Sequence, residues 1–456
     1  MFLYTVCQGI DPEGYYTSHM SIAKGFTEGN RDAPTTAPKE DEKIFLVGAE
    51  LKSKSQWDVT ESLEELASLA ETAGGTVVGE GIQKLDRPVS GTFIGKGKAE
   101  QFAAECAEKE VDTVIFDDEL TPGQGRNLER VFDRKIIDRT ALILDIFAQR
   151  ARTREGKLQV ELAQLQHLLP RLTRFWTHLS RQKGGIGMRG DGESQLETDR
   201  RRIQERISRL ASELDDVRKH RSVQRRGRRR NNWPLASIVG YTNAGKSTLL
   251  NALTGADVQA EDKLFATLDP TTRKLRLDTN QKVLLSDTVG FIRKLPHRLV
   301  EAFKATLEEV SEADLLVHVV DVSHPQADQQ ITAVNDVLAE IGALEKPTLM
   351  VFNKIDQLET PDQLGLFTDQ YSPSVGVSAA TKLGFDALKA HLSNSLRPIR
   401  SSLILRVPVH EASVIARIHE VGQVVSLKYE DDLAEIEARI PPHRLEEFAR
   451  YHNEEE

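Results

Sequence analysis

The segment Gly240-Tyr241-Thr242-Asn243-Ala244-Gly245-Lys246-Ser247 follows the apolar run 235–239 and precedes a run with helical spacing that starts at Ser247. This G-x-x-x-x-G-K-S constrains the fold more than any other feature, because it works only as the turn from a parallel strand into a helix. In that turn the glycines let successive backbone N–H groups converge on a phosphate at the positive end of the helix. Lys246 adds a point charge for the β- and γ-phosphates, and the Ser247 hydroxyl is placed to ligate Mg²⁺. The chain around the loop must therefore alternate strands and helices.

Three later segments extend the pattern in chain order. Asp287-Thr288-Val289-Gly290 ends the apolar strand VLLS; Asp287 there faces the phosphates and holds Mg²⁺ through a water, and Gly290 offers its N–H to a γ-phosphate. Asn353-Lys354-Ile355-Asp356 follows TLMVF. A carboxylate at Asp356 accepts from the N1–H and 2-amino groups of guanine, and adenine would leave it unpaired. Ser378-Ala379-Ala380 completes the base pocket with backbone N–H groups. Between the first two motifs lies Phe265-Ala266-Thr267-Leu268-Asp269-Pro270-Thr271-Thr272. A threonine there ligates Mg²⁺ and senses the γ-phosphate; Thr267 is the choice over Thr271 and Thr272, and the alternative is that all three are turn or cap residues. The candidate catalytic residues are Lys246, Thr267 and Gly290, and the metal ligands Ser247 and Thr267. Phe291 follows the DxxG motif, where a glutamine would orient the attacking water, so intrinsic hydrolysis of GTP should be slow.

The rest of the chain supports an α/β, multidomain organisation. Residues 1–42 read as a disordered polar lead, with Met20 an alternative start. Residues 43–150 alternate strands (44–51, 76–82, 111–118) with helices (62–73, 98–109 and one opened by Thr121-Pro122), a parallel βα domain. Residues 151–231 hold two helical runs, 155–182 and 193–221, around the break GGIGMRGDG, with Pro170 expected to kink the first. Apolar positions three or four apart predict an antiparallel helical hairpin. The run 225–234 reads as a linker, 232–397 as a doubly wound P-loop G domain, and 398–456 as a small α+β domain.

Composition matters at one point. The net charge of −10 argues against nucleic acid as a partner, but residues 171–230 hold 18 basic against 8 acidic side chains. Such a segment suits RNA phosphates, although a solvated helix face explains Arg200, Arg201, Arg202 and Arg206 as well. Cys7 and Cys106 alone exclude a disulfide framework and a cysteine zinc site, and a reducing cytoplasmic compartment is expected. No run of apolar residues is long enough to span a membrane, and the first residues lack the pattern of a secretory leader.

With these motifs in place, the chain resembles the HflX family of ribosome-associated GTPases. The likeness includes FIGKGKAEQ, FDDELTPGQGRNLE, DRTALILDIFAQRARTREGKLQVELAQLQHLLPRL, GGIGMRGDGESQLETDRRRI, GYTNAGKSTLLNALTGA and FATLDPTTR, and so spans roughly 45–300. The resemblance implies a monomeric GTPase that binds the 50S subunit and its RNA and splits stalled 70S ribosomes, with Mg²⁺ as cofactor and GTP and GDP as ligands. It implies that residues 240–247, 265–269, 287–290, 353–356 and 378–380 touch nucleotide. It also makes Gly184, Gly185, Gly187, Arg189 and Gly190, with Arg200 and Arg201, the RNA contacts. Two alternatives stand beside it: a large-subunit assembly factor, and an RNA-binding adapter whose GTP turnover is incidental.

Overall fold

The computed structural model describes residues 42–52, 59–172, 191–230, 233–255, 264–265, 267–269, 271–277, 281–294, 304–396, 401–430, 432–440 and 445–452. The chain divides into two compact units, one ending at Ala211 and the other starting at Ser212.

The first unit is built on four parallel strands, β1 (Lys43–Leu51), β2 (Thr76–Leu85), β3 (Thr113–Phe116) and β4 (Lys135–Asp138), in the order β2-β1-β3-β4. Helices α1 (Val59–Thr72), α2 (Lys96–Glu108) and α3 (Pro122–Phe132) connect them, and α4 (Arg139–Arg150) and α5 (Arg154–Leu172) follow β4. β3 is buried at every position, as a parallel strand covered on both faces must be. Thr121 caps α3 in a reciprocal capping box with Gln124, and Pro122 occupies the first turn, where its missing N–H costs nothing. The short strand β4 had no separate signal in the sequence. Pro170 falls in the last turn of α5.

Polar groups collect at the C-terminal ends of β3 and β4. Arg139, only 1% exposed, pairs with Asp117 at 2.9 Å and with Glu65, while Ser62 donates to the other Asp117 oxygen at 2.5 Å. Asp138 caps α4 through Ala141 N–H and accepts from Leu120 N–H and from Arg171 at 2.6 Å. Burial alone would raise its pKa, but Arg171, His167 and the two amides hold the carboxyl below the usual range.

Helix α6 (Asp191–Arg230) runs farther than the sequence pattern suggested. The linker read over 225–234 is therefore helix as far as Arg230, because arginine is a good helix former and a basic run need not be a coil. Within the first unit, Arg206 makes a two-pronged bond to Glu161 of α5, at 2.8 and 2.9 Å. This brings the two hairpin helices together and removes Arg206 from the set of arginines facing outward.

In the second unit, six strands lie in the order β10-β9-β8-β5-β7-β6. They are β5 (Leu235–Gly240), β6 (Thr271–Arg276), β7 (Lys282–Asp287), β8 (Leu315–Asp321), β9 (Thr348–Asn353) and β10 (Ser374–Gly376). All pairs are parallel except β6 with β7. Helices α7 (Lys246–Thr254), α8 (Lys304–Ser311), α9 (Ala327–Glu340), α10 (Pro361–Gln370) and α11 (Phe385–Ser395) complete this layer. β8 is buried throughout, and its Leu315, Val317 and Val319 share a core with Leu249, Leu285, Val351 and Leu388. Each such side chain stabilises the fold by about 1.5–3 kcal/mol. β6 and α10 were not anticipated. β6 is an edge strand of TTRKLR sequence in which only Leu275 is buried, so it carries no apolar alternation. Thr271 and Thr272 belong to this strand.

The last described residues form β11 (Ser401–Pro408), α12 (Ala412–Val421), β12 (Gln423–Glu430), β13 (Leu433–Ile440) and α13 (Leu445–Phe448). Their antiparallel sheet has the order β11-β13-β12. Strict alternation along β13 buries Ala434, Ile436, Ala438 and Ile440 against Ile418, Phe448 and Tyr451.

Candidate nucleotide site

The expected phosphate loop joins β5 to α7. Asn243 (φ 60°) and Gly245 (φ 88°) are left-handed on either side of Ala244, and this alternation turns consecutive amides toward one point. Gly245 has no alternative there, because a Cβ would stand 2.3 Å from Asn353 Nδ2. Lys246 begins α7, is buried, and donates from Nζ to Tyr241 O at 2.6 Å. Burial pushes its pKa down to about 8, with Asp287 working in the opposite direction. His318, buried on β8, is pushed down to about 3 by burial and by the Lys246 charge, so it is neutral around physiological pH.

Beside the loop, three oxygen-bearing side chains from separate segments meet. Ser247 Oγ donates to Asp287 Oδ2 at 2.7 Å and lies 2.7 Å from Thr267 Oγ1. Burial raises the Asp287 pKa against the pull of Lys246, Ser247, Thr267 and its neighbouring amide. Asp287 Oδ1 and Thr242 Oγ1 are buried without a hydrogen-bond partner among the described residues. The donor set fits Mg²⁺: two ligands at adjacent corners of an octahedron with bonds of about 2.1 Å lie about 3.0 Å apart, so the hydroxyls need to separate only slightly. Gly290 crosses this end of the loop so closely that a Cβ would lie 2.9 Å from Thr242 Cγ2 and 3.1 Å from Lys246 Nζ.

On the other flank, Asn353 is 2% exposed and both ends of its amide are engaged. Nδ2 donates to Ala244 O and Oδ1 accepts from Ala379 N–H, each at 2.9 Å. It therefore fastens the phosphate loop to the 378–380 loop. Lys354, at φ 65°, pairs with Asp321 at 2.6 Å, while Asp356 is exposed in a short 3-10 turn. Ser378 N–H donates to Leu383 O and Ala379 N–H to Asn353, while Ala380 is exposed.

The structure thus gathers Lys246, Ser247, Thr267, Asp287 and Gly290 around one point. The side chains of Phe265, Leu268, Thr288 and Val289 are buried in protein, and Thr288 Oγ1 donates to Ile238 O at 2.7 Å. Those positions shape the segments that carry the site. Ile355 is half-buried against the cluster of Val320, Phe352 and Met350, and Asp269 is half-buried near β6. Thr271 and Thr272 sit in the β6 ladder opposite Asp287 and Ser286. Ala266 lies outside the described residues, as do Gly184, Gly185, Gly187, Arg189 and Gly190. Arg200 and Arg201 are exposed on α6. Sequence reasoning missed the bridging role of Asn353 and the bond between Tyr241 Oη and Arg293 N–H. Neither has a local signal, since each joins segments distant in the chain.

A parallel sheet with this loop at the end of its central strand, and the hydroxyl and carboxylate cluster beside it, defines a P-loop GTPase: the protein binds and hydrolyses GTP. Three family profiles match the chain: GTP-binding GTPase N-terminal over residues 60–148, GTP-binding GTPase Middle Region over 150–228, and 50S ribosome-binding GTPase over 236–354. The GTPase HflX of Lacrimispora saccharolytica is 48% identical over 401 residues, covering 88% of this chain and 94% of that protein. The GTPase HflX of Escherichia coli K12 is 48% identical over 386 residues, covering 84% and 90%. Among solved structures, a GTP-binding protein from Sulfolobus solfataricus in complex with GDP is 26% identical with a TM-score of 0.41, covering 78% of this chain and 98% of that one. The chain belongs to the HflX family of GTPases. No described helix is long and apolar enough to cross a membrane.

Proposed function

We propose that this GTPase is a Mg²⁺-dependent switch that acts as a cytoplasmic monomer, binds the large ribosomal subunit and its RNA, and separates the subunits of stalled 70S ribosomes. The observation that carries this reading is the match of residues 236–354 to 50S ribosome-binding GTPases. The excess of basic residues over 171–230 and the exposure of Arg200 and Arg201 support RNA as the surface contacted. Residues 184–190 supply the remaining contacts.

In this reading the amides of 243–247 hold the β-phosphate and Lys246 neutralises charge on the β- and γ-phosphates. Ser247 and Thr267 are the metal ligands, with Asp287 behind them. Mg²⁺, when bound, balances the negative charge that builds on the phosphate oxygens. Thr267 and Gly290 contact the γ-phosphate through their N–H groups, so its loss removes both contacts. Asp356 selects guanine, and Asn353 holds the base loop against the phosphate loop. The buried ring of Phe291 gives an attacking water no hydrogen bond, so basal hydrolysis is slow and the ribosome accelerates it.

The test is GTP hydrolysis with and without 70S ribosomes or isolated large subunits, run beside sucrose gradients with a non-hydrolysable GTP analogue. Stimulation by ribosomes together with conversion of 70S particles to subunits is expected, and Arg200→Glu/Arg201→Glu should weaken both. Stimulation by free large subunits alone would replace splitting with assembly. No stimulation by any particle would refute ribosome activation.

A further inference from the structure

Immediately after Gly290 the chain is tied back onto the phosphate loop. Phe291 N–H donates to Gly240 O at 3.1 Å, Thr242 N–H donates to Phe291 O at 2.7 Å, and Arg293 N–H donates to Tyr241 Oη at 3.0 Å. Tyr241 and Phe291 form a parallel β-bridge. All of Tyr241, Phe291, Ile292 and Arg293 are buried, so water does not replace a bond that is lost. This short strap fixes the residue just before it. Gly290 stands against Thr242 Cα and Lys246 Nζ, each 3.1 Å from where its Cβ would be. Thr267, meanwhile, sits on Ser247 and lies among the hydrogen-bond partners of Asp287. Both segments that meet a γ-phosphate are therefore gathered at the loop in one arrangement.

We propose that Tyr241 is a positioning residue for triphosphate: through Arg293 N–H its hydroxyl fixes the 291–293 strap, which holds Gly290 N–H at the γ-phosphate position and so sets part of the preference for GTP over GDP. The inference rests on the reading of Gly290 as a γ-phosphate contact. Its physical basis is preorganisation. A segment that had to become ordered on binding would charge the loss of chain entropy against the triphosphate, and a docked strap has already lost it. GDP has no group at Gly290 and gains nothing from the strap. The same geometry accounts for phenylalanine at 291, whose buried ring anchors the strap where a glutamine would have to reach outward to water.

Tyr241→Phe in the full chain removes only the hydroxyl and keeps the ring. Dissociation constants for a non-hydrolysable GTP analogue and for GDP are measured by fluorescence titration, and amide hydrogen exchange is followed at 290–293. The preference for the GTP analogue over GDP should fall about three- to tenfold, the effect of one buried hydrogen bond. Exchange at 290–293 should accelerate. Equal weakening of both nucleotides, tighter binding of the GTP analogue, or unchanged exchange at 290–293 would each overturn the proposal. Gly290→Ala separates the two layers of the argument. If it lowers the preference while Tyr241→Phe does not, the strap fails and the Gly290 contact stands; if it too leaves the preference unchanged, the Gly290 contact itself fails.

Discussion

Burial of Lys246 makes nucleotide affinity depend on pH in a range where most lysines are silent. With its pKa pushed down to about 8, the amine is half neutral near that pH, whereas a lysine in water titrates near 10.4. A bound triphosphate places several negative charges beside Nζ and raises the pKa again. A group whose pKa is higher in the complex strengthens binding fully below its value in the free protein, and that contribution fades as pH rises through it. Between pH 7 and pH 9 the protonated fraction of the free protein falls from about nine-tenths to about one-tenth, so the dissociation constant should rise about tenfold. At pH 8 binding should take up about half a proton. Isothermal titration in buffers of different ionisation enthalpy measures both, and pH 8 keeps the guanine N1–H largely protonated. Neutral His318 does not change charge in this window. A dissociation constant flat from pH 7 to 9 with no proton uptake would refute the reasoning.

Three further outcomes follow from the same geometry. Gly245→Ala forces a side chain into a left-handed backbone, at roughly 1–2 kcal/mol, and against Asn353 Nδ2; nucleotide affinity should drop more than tenfold with the helical circular dichroism unchanged, and near-normal binding would contradict the packing. Asn353→Ala leaves Ala244 O and Ala379 N–H without partners, at about 1–3 kcal/mol, and should weaken GTP and GDP alike; a loss confined to GTP would speak against a bridging role. Asp117→Ala leaves buried Arg139 with Glu65 as its remaining named carboxylate and should lower the stability of the N-terminal unit by about 3 kcal/mol; a urea transition of that unit unmoved from the wild type would count against the ion-pair cluster.

Much of the order of strands and helices was legible because those elements carry their own period. β13 alternates buried and half-buried side chains, β8 is apolar throughout, and the glycine-rich turn before Lys246 punctuates a strand and a helix. Among the elements that escaped, two lack a period. β6 is a polar edge strand held by its ladder to β7, and β4 is four residues long. The arginine run ending at Arg230 looked like a linker because charge and Gly227 masked helix propensity.

For the site, the residue types fixed by phosphate and guanine chemistry could be named from spacing alone: Lys246 and Ser247 after the glycine turn, Asp287 and Gly290 at a strand end, Asp356 after another. These signals are local, because each motif is a few residues that must adopt one backbone path. Only the tertiary structure decided which neighbours serve those motifs. It placed Thr267 on Ser247, chose Asn353 as the clasp between two loops, engaged Arg206 with Glu161, and tied Tyr241 to the chain beyond Phe291. Each of these pairs joins residues far apart along the chain, and such a contact leaves no period in either segment. Its geometry exists only once the sheet has brought the segments together.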